Sequence, residues 1–203
     1  KERLDSLSVE RLRAEICRLL EATDSAETVG HMLDAGILAN ILPEAQSQQR
    51  LQRLILLESS YDDVISLRRL AALTDLSKSQ LDAVGSRWRF SNRDKERLSA
   101  MAGDVLSSLS EHDLHIALYR EGLEAVADRI LLAWAGDNED RSELLTCARR
   151  WEIPNFPLQG RDVLTHGRKP GAEVGALLKT LKDDWIANDF KADRSSLDQQ
   201  LKD

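Results

Sequence analysis

The 203-residue sequence has little cysteine, few aromatic residues and no long apolar run. Its two cysteines, Cys17 and Cys147, are far apart and form no C-x-x-C pair, which argues against a disulfide framework and a zinc ribbon. We expect both to be buried as small apolar side chains. No stretch approaches the roughly 20 apolar residues that span a bilayer, and no apolar stretch follows the charged start. The sequence therefore predicts a cytoplasmic protein without membrane contact.

Signals for β-structure are also scarce. There is no sustained alternation of β-branched and polar residues, and neither Asn-Gly nor Asp-Gly occurs. Apolar residues recur instead at helical spacing, as at Leu12, Ile16 and Leu19. The pattern predicts an all-α protein, built as an elongated array of helical hairpins without a sheet.

Serine residues mark several expected helix starts. Three of them stand three residues before a side chain that can complete a capping box: Ser77 before Gln80, Ser91 before Asp94 and Ser110 before Asp113. Gly122 is expected to separate two helices, because glycine weakens a helix interior. We interpret the chain as a neck-like helical region over 1–75, a helical body over 76–152 and a helical tail over 153–203.

Charge is distributed unevenly along the chain. The formal net charge of −7 argues against sequence-blind attraction to nucleic acid, because that binding neutralises phosphates, but it leaves room for a local basic surface. The densest basic run, with Trp88 and Phe90 interleaved, contains Arg87, Arg89, Arg93, Lys95 and Arg97. Arginine and aromatic side chains arranged in this way can follow a phosphate backbone and stack on bases. Alternatively, Trp88 and Phe90 are core anchors and the charges solvate a helix start.

Glycine and proline are concentrated in one stretch near the end of the sequence, at Gly160, Gly167, Pro170, Gly171 and Gly175. One interpretation is a compact structural turn, in which Gly167 ends a helix, Pro170 begins the next, and Gly171 and Gly175 let another helix approach closely. The other is RNA binding, in which backbone amides meet a phosphate. The cationic side chains available for that contact are Arg161, Arg168 and Lys169. Both interpretations are compatible, because a tightly packed hairpin is also a fixed platform.

Residues suited to catalysis or metal binding are few. Adjacent His112 and Asp113 occur together in some metal phosphohydrolases, but a full site needs further ligands on other helices. Asp113 is better explained as the capping partner of Ser110. We predict no catalytic residue and no metal site in this chain.

Three segments, in order, resemble one known family. The first, Leu7 to Glu44, begins with an E-R-L-x-x-E helix start at Glu10. The second, Phe90 to Leu98, has S-N before a charged helix, and the third, Gly160 to Gly175, follows G-x-D-V-L…G…P-G…V-G. Together they resemble the helical neck, body and tail that follow the catalytic head in class II tRNA nucleotidyltransferases and poly(A) polymerases.

The resemblance implies a function without chemistry in this chain. The family's catalytic D-x-D, which holds metal ions, does not occur in this sequence, and neither do its R-R-D and E-D-x-x-R elements. The resemblance therefore implies that this chain is a non-catalytic portion that grips tRNA or another RNA. It also implies a second partner, the N-terminal catalytic head of the same enzyme, which would hold Mg and NTP. By this resemblance, the present chain is expected to need no cofactor of its own. A homodimer is a further expectation, and the alternative is a helical protein-interaction or dimerisation scaffold without RNA contact.

Overall fold

A computed structural model describes residues 8–46, 48–61, 63–74, 77–103, 110–167 and 170–201. These residues form twelve helices and no strand, which confirms the all-α prediction. In chain order the helices are α1 (Val9–Glu21), α2 (Ser25–Asp34), α3 (Leu38–Ile41), α4 (Gln48–Ser59), α5 (Ser66–Ala72), α6 (Lys78–Arg87), α7 (Asn92–Met101), α8 (Glu111–Asp137), α9 (Ser142–Arg150), α10 (Gly160–Thr165), α11 (Ala172–Ala187) and α12 (Arg194–Gln200).

The chain divides into two compact units. Unit 1 comprises Lys1–Ser108 and Glu121–Arg149, and unit 2 comprises Leu109–Arg120 and Arg150–Asp203. The boundary within α8 lies beside Gly122, whose φ of 83° and ψ of 164° interrupt the helical backbone, as predicted for this glycine. The region boundaries predicted at 75/76 and 152/153 stay predictions.

Unit 1 has a leucine-rich core. Its fully buried side chains include Leu20, Leu51, Leu54, Leu70, Leu81 and Leu98, which lie on α1, α4, α5, α6 and α7. Trp88 and Phe90 are buried among them, with ring centroids 6.3 Å apart. The prediction that these two aromatic residues anchor the core is therefore confirmed. Their burial removes large apolar surfaces from water, which is the main force holding the α6–α7 turn in place.

The predicted helix caps are present. The Ser91 hydroxyl accepts a hydrogen bond from the Asp94 amide at 3.2 Å and donates to the Asp94 carboxylate at 2.7 Å. Ser110 and Asp113 repeat this arrangement at 3.2 and 2.6 Å. The Ser77 hydroxyl accepts from the Gln80 amide at 3.4 Å. These contacts satisfy amides that have no partner inside the first helical turn.

Unit 2 has a separate core that contains Leu158, Val163, Leu181, Trp185, Ile186, Leu197 and Leu201. Trp185 is its centre, because Tyr119, Phe156 and Phe190 pack against its ring at centroid distances of 5.8, 5.4 and 5.0 Å. The Trp185 indole N–H donates to the carbonyl of Ala192 at 3.0 Å, so the buried ring keeps no unsatisfied donor.

The prediction that both cysteines are buried is wrong. Cys17 is half-buried, and Cys147 is exposed on α9. On that helix Leu145 and Ala148 are the buried residues, and residues one or two positions from them point to other sides of the helix. Among the described residues, no helix combines the length and apolarity needed to cross a membrane.

Candidate nucleic-acid interface

The basic run predicted from the sequence spans the end of α6, a tight turn and the start of α7. Arg89 makes this turn without glycine, since its φ is 51°. The Phe90 amide donates to the Gly85 carbonyl at 3.0 Å and the Arg89 amide donates to the Ser86 carbonyl at 3.2 Å. These two hydrogen bonds are the pattern that ends a helix through one left-handed residue. The turn buries Trp88 and Phe90 and leaves the Arg89 side chain 69% exposed.

Helix α1 is fixed to this turn by two side chains on one of its faces. Arg13 donates to the carbonyls of Trp88, at 3.3 Å, and of Arg89, and its guanidinium lies 5.4 Å from the centroid of the Phe90 ring. One turn earlier, Glu10 Oε1 accepts from Arg89 Nη1 at 2.7 Å. Sequence reasoning did not assign either role, because these partners are more than seventy residues apart: the separations are 75, 76 and 79.

Arg87 is tied to the segment after α3. Its two terminal nitrogens donate to the two carboxylate oxygens of Glu44, each at 2.7 Å, in a two-pronged contact. The hydrogen bond from Arg87 lowers the pKa of Glu44 below its usual range, and the same contact raises the pKa of Arg87. Arg87 therefore connects α6 to the chain around Pro43.

Arg97 points into unit 1 and contacts a buried carboxylate. Its Nε donates to Asp128 Oδ2 at 2.8 Å and its Nη2 to Asp128 Oδ1 at 3.2 Å, while Asp128 itself is fully buried. The hydrogen bond with Asp128 raises the pKa of Arg97. An arginine held in this way stabilises the fold, because its removal would leave the buried carboxylate without one of its partners.

Behind Arg97 lies a buried ion network that sequence reasoning missed. Arg68 donates from Nε to Glu58 at 2.9 Å and from Nη1 to Asp128 at 2.9 Å, and Arg69 donates from Nε to Glu58 at 2.6 Å. Arg69 also donates to the carbonyls of Leu20 and Ala22, at 2.6 and 2.9 Å. The buried carboxylates and guanidiniums thus compensate one another, which keeps the cost of their desolvation down. Adjacent arginines inside the apolar helix α5 were the only local signal.

Arg93 and Lys95 differ in exposure although both lie on α7. Arg93 is exposed and has no ion pair within the described part of the chain. Lys95 is half-buried against α6, where a Cβ added at Gly85 would lie 3.3 Å from its Cγ. On α1, Arg11 and Arg18 are exposed two turns apart, so they share one side of that helix. We call Arg11, Arg18, Arg89 and Arg93 the exposed arginine set.

The glycine-rich stretch in unit 2 contains a turn, but its described glycines are not points of close contact between helices. Gly167 ends α10 with a φ of 83°, as predicted. Helix α11 begins at Ala172, so the prediction that Pro170 begins it is wrong; Gly171 lies between them as the N-cap. A Cβ added at Gly160, Gly171 or Gly175 would meet no described atom within 4 Å, so the described residues give no sign of the expected close approach.

The cations of this stretch are only partly described. Arg161 is exposed on α10, whereas Arg168 and Lys169 lie outside the described residues. The neighbouring Asp162 accepts from the Gln159 amide at 2.6 Å and pairs with Arg194 at 2.5 Å. The Gln159 hydrogen bond, followed by the charge of Arg194, lowers the pKa of Asp162. Both contacts hold α10 in place, and the RNA-binding role of Arg161 stays a prediction.

The histidines of unit 2 have packing roles. His112 Nδ1 lies 3.2 Å from Asp189 Oδ1, and the His115 ring stacks on Trp151 at 4.4 Å between centroids. Across the residues that the structure describes, no three His, Cys, Asp or Glu side chains are grouped in a way that could hold a metal ion.

The segment that contains α1 is similar to a known family of RNA-binding sequences. Residues 1–49 match the family model described as the probable RNA and SrmB-binding site of polymerase A. This segment includes α1, α2 and α3. It also contains Glu10, Arg13 and Glu44, whose side chains contact the basic run.

Several proteins with similar sequences are named as CCA-adding enzymes or CCA tRNA nucleotidyltransferases. The CCA-adding enzyme of Lactococcus lactis subsp. lactis (strain IL1403) is 26% identical over 208 residues, which cover 98% of this chain and 50% of the relative. The mitochondrial CCA tRNA nucleotidyltransferase 1 of Danio rerio is 36% identical over 67 residues, or 33% of this chain and 15% of the relative. Its counterpart in Homo sapiens is 34% identical over 59 residues, 29% of this chain and 14% of the relative. This chain thus spans half or less of the length of these relatives.

The all-α fold thus places exposed arginines on and beside the segment that matches the RNA-binding model. The resemblance to the CCA-adding enzyme and poly(A) polymerase family, predicted from three short segments, is confirmed by matches that extend over nearly the whole chain.

Proposed function

We propose that this chain is the RNA-binding and positioning portion of a tRNA nucleotidyltransferase or poly(A) polymerase-type enzyme. It grips tRNA by shape and by phosphate contacts. The observation that carries the proposal is the position of Arg89, which is exposed and joined through Glu10 and Arg13 to the helix that matches the RNA-binding model. An exposed guanidinium on a fixed backbone is well suited to a phosphate, because its planar donors fit two phosphate oxygens.

The role that follows is positioning rather than bond making. Phosphate contacts set the register of a nucleic acid without reading its sequence. Because Arg13 and the buried aromatic residues hold α1 and the turn together, the contacts on the two elements keep a constant spacing. A bound RNA would therefore hold its end at a fixed distance from this surface. Holding a reacting group in place lowers the entropic cost of the reaction.

The rest of the enzyme is part of the same proposal. A catalytic head that precedes this region supplies the carboxylates, Mg and NTP, and adds nucleotides to the RNA 3′ end in the cytoplasm. The chain contacts that head, and a homodimer is part of the same proposal.

Charge reversal at the exposed arginine set tests the proposal. We expect Arg89→Glu and Arg93→Glu each to weaken binding of a tRNA transcript by about three- to tenfold, because each removes a phosphate contact and adds repulsion. Lys78→Glu is the matched control, since Lys78 is exposed at the opposite end of α6 and the change in net charge is the same. Arg97 is left intact, because reversing its charge would break the buried pair with Asp128.

The measurement is a filter-binding or fluorescence-anisotropy titration at low salt, with circular dichroism to verify folding. Equal weakening by all three substitutions would contradict the proposed surface, because it would reflect net charge alone. Absence of binding at micromolar protein would contradict the proposed function and favour the protein-interaction scaffold.

A further inference from the structure

We propose that Glu10 competes with RNA phosphate for Arg89 and thereby weakens the binding of RNA to this surface. This inference rests on the proposed function and adds a residue that sets the affinity of the same site. Glu10 is an acceptor inside the segment that matches the RNA-binding model, and it occupies one donor nitrogen of the arginine that RNA would contact.

The geometry of the pair makes it exchangeable. One nitrogen of Arg89 meets one oxygen of Glu10 at 2.7 Å, which is the distance of a charge-assisted hydrogen bond. Both side chains are open to water, with 69% of Arg89 and 46% of Glu10 exposed. Exposed ion pairs are weak, because water and salt screen them, so a phosphate oxygen can replace the carboxylate oxygen.

Two other arginine–carboxylate pairs of the basic run, Arg87–Glu44 and Arg97–Asp128, are held more firmly. Glu44 makes two contacts with Arg87 and is 15% exposed, and Asp128 is fully buried beneath Arg97. Separating either pair would leave a shielded carboxylate without its partner, which carries a desolvation cost. Among these three pairs, RNA can therefore displace the carboxylate of Glu10 most easily.

Glu10 is also held in its charged form. It lies in the first turn of α1, where the helix dipole favours a negative side chain. A hydrogen bond with its own backbone amide, and then the contact with Arg89, lower its pKa. The carboxylate remains ionised across the neutral range, so its competition with phosphate is a constant property of the surface rather than a pH response.

The experiment compares Glu10→Gln with Glu15→Gln in the full chain, using the same tRNA transcript. Glu15 is exposed on the same helix and has no ion pair within the described residues, so the control makes the same change in net charge. We expect Glu10→Gln to tighten binding about two- to fivefold, which is the range of an exposed ion pair, and Glu15→Gln to have a smaller effect. Circular dichroism verifies that both variants fold.

A second background tests whether Glu10 acts through Arg89. In an Arg89→Gln chain the gain from Glu10→Gln should disappear, because the donor for which carboxylate and phosphate compete is gone. Equal tightening by Glu10→Gln and Glu15→Gln would overturn the inference, since it would show an effect of net charge. Unchanged or weaker binding by Glu10→Gln would overturn it as well.

The result also separates this inference from the proposed function. If Arg89→Glu weakens RNA binding while Glu10→Gln does not strengthen it, the competition is absent and the RNA-binding function stands. If wild type and all variants fail to bind the transcript, both are overturned.

Discussion

At the scale of single residues, the carboxylate partner decides what each arginine of the basic run does. Arg87, Arg89 and Arg97 are close in sequence, yet their partners lie 43, 79 and 31 residues away. The sequence correctly indicated that Trp88 and Phe90 are buried, because apolar bulk is a local property. It could not indicate the partners, because these depend on which helices pack together. Arg97, predicted from the run as an RNA contact, is bound to Asp128 for this reason.

The buried pair gives a stability prediction. Asp128→Asn should lower the free energy of unfolding by about 3–5 kcal/mol, because it leaves Arg68 and Arg97 facing a neutral amide in a buried place. The measurement is urea unfolding followed by circular dichroism. Glu124→Gln is the control, since this carboxylate is 71% exposed and 3.7 Å from Arg97, and it should change stability by less than about 0.5 kcal/mol. A similar small effect for Asp128→Asn would show that the network does not stabilise unit 1.

At the scale of secondary-structure elements, features that depend on neighbouring residues were predictable. The caps at Ser77, Ser91 and Ser110 were found because donor and acceptor stand three residues apart. The turn between α6 and α7 was not predicted in detail, because Arg89 adopts a backbone angle that usually indicates glycine. Conversely, Gly171 and Gly175 suggested a close helix approach that the described residues do not show, because a small residue permits such an approach without requiring one.

The stability that the Arg87–Glu44 pair contributes between α6 and the segment after α3 should depend on pH. The pKa of Glu44 is lowered by Arg87, so the folded chain keeps this group ionised to lower pH than the unfolded chain does. The stability from the pair is therefore fully present above the ordinary glutamate value of 4.5 and is lost as pH falls through the lower folded value.

Thermal unfolding of Glu44→Gln and wild type across pH tests this connection. We expect the variant to melt about one or two degrees lower at any pH between 6 and 8, since the pair is partly exposed. The difference should shrink below pH 4.5 as wild-type Glu44 becomes protonated. A difference that grows on acidification would contradict the sign of the pKa change, and Glu15→Gln provides the control for net charge.

At the scale of the whole molecule, the chain combines a net charge of −7 with the exposed arginine set of unit 1. Acidic overall charge suppresses indiscriminate binding, whereas the exposed arginines allow contact where a phosphate meets them directly. This combination fits an RNA grip that recognises shape and positions its substrate. The resemblance to the family was visible in short motifs, but the proposed RNA surface required the fold, because exposure and pairing distinguish Arg89 and Arg93 from Arg97.

The most direct measurement is the affinity of the chain for a tRNA transcript as a function of salt concentration. The logarithm of affinity should fall linearly with the logarithm of salt concentration, because RNA binding releases counterions from the phosphates. Contact with a few phosphates predicts a slope of about −2 to −4. We predict that Arg89→Glu makes this slope shallower by about one, whereas Lys78→Glu leaves it unchanged. An affinity that does not change with salt, or the same slope for wild type and Arg89→Glu, would contradict the account.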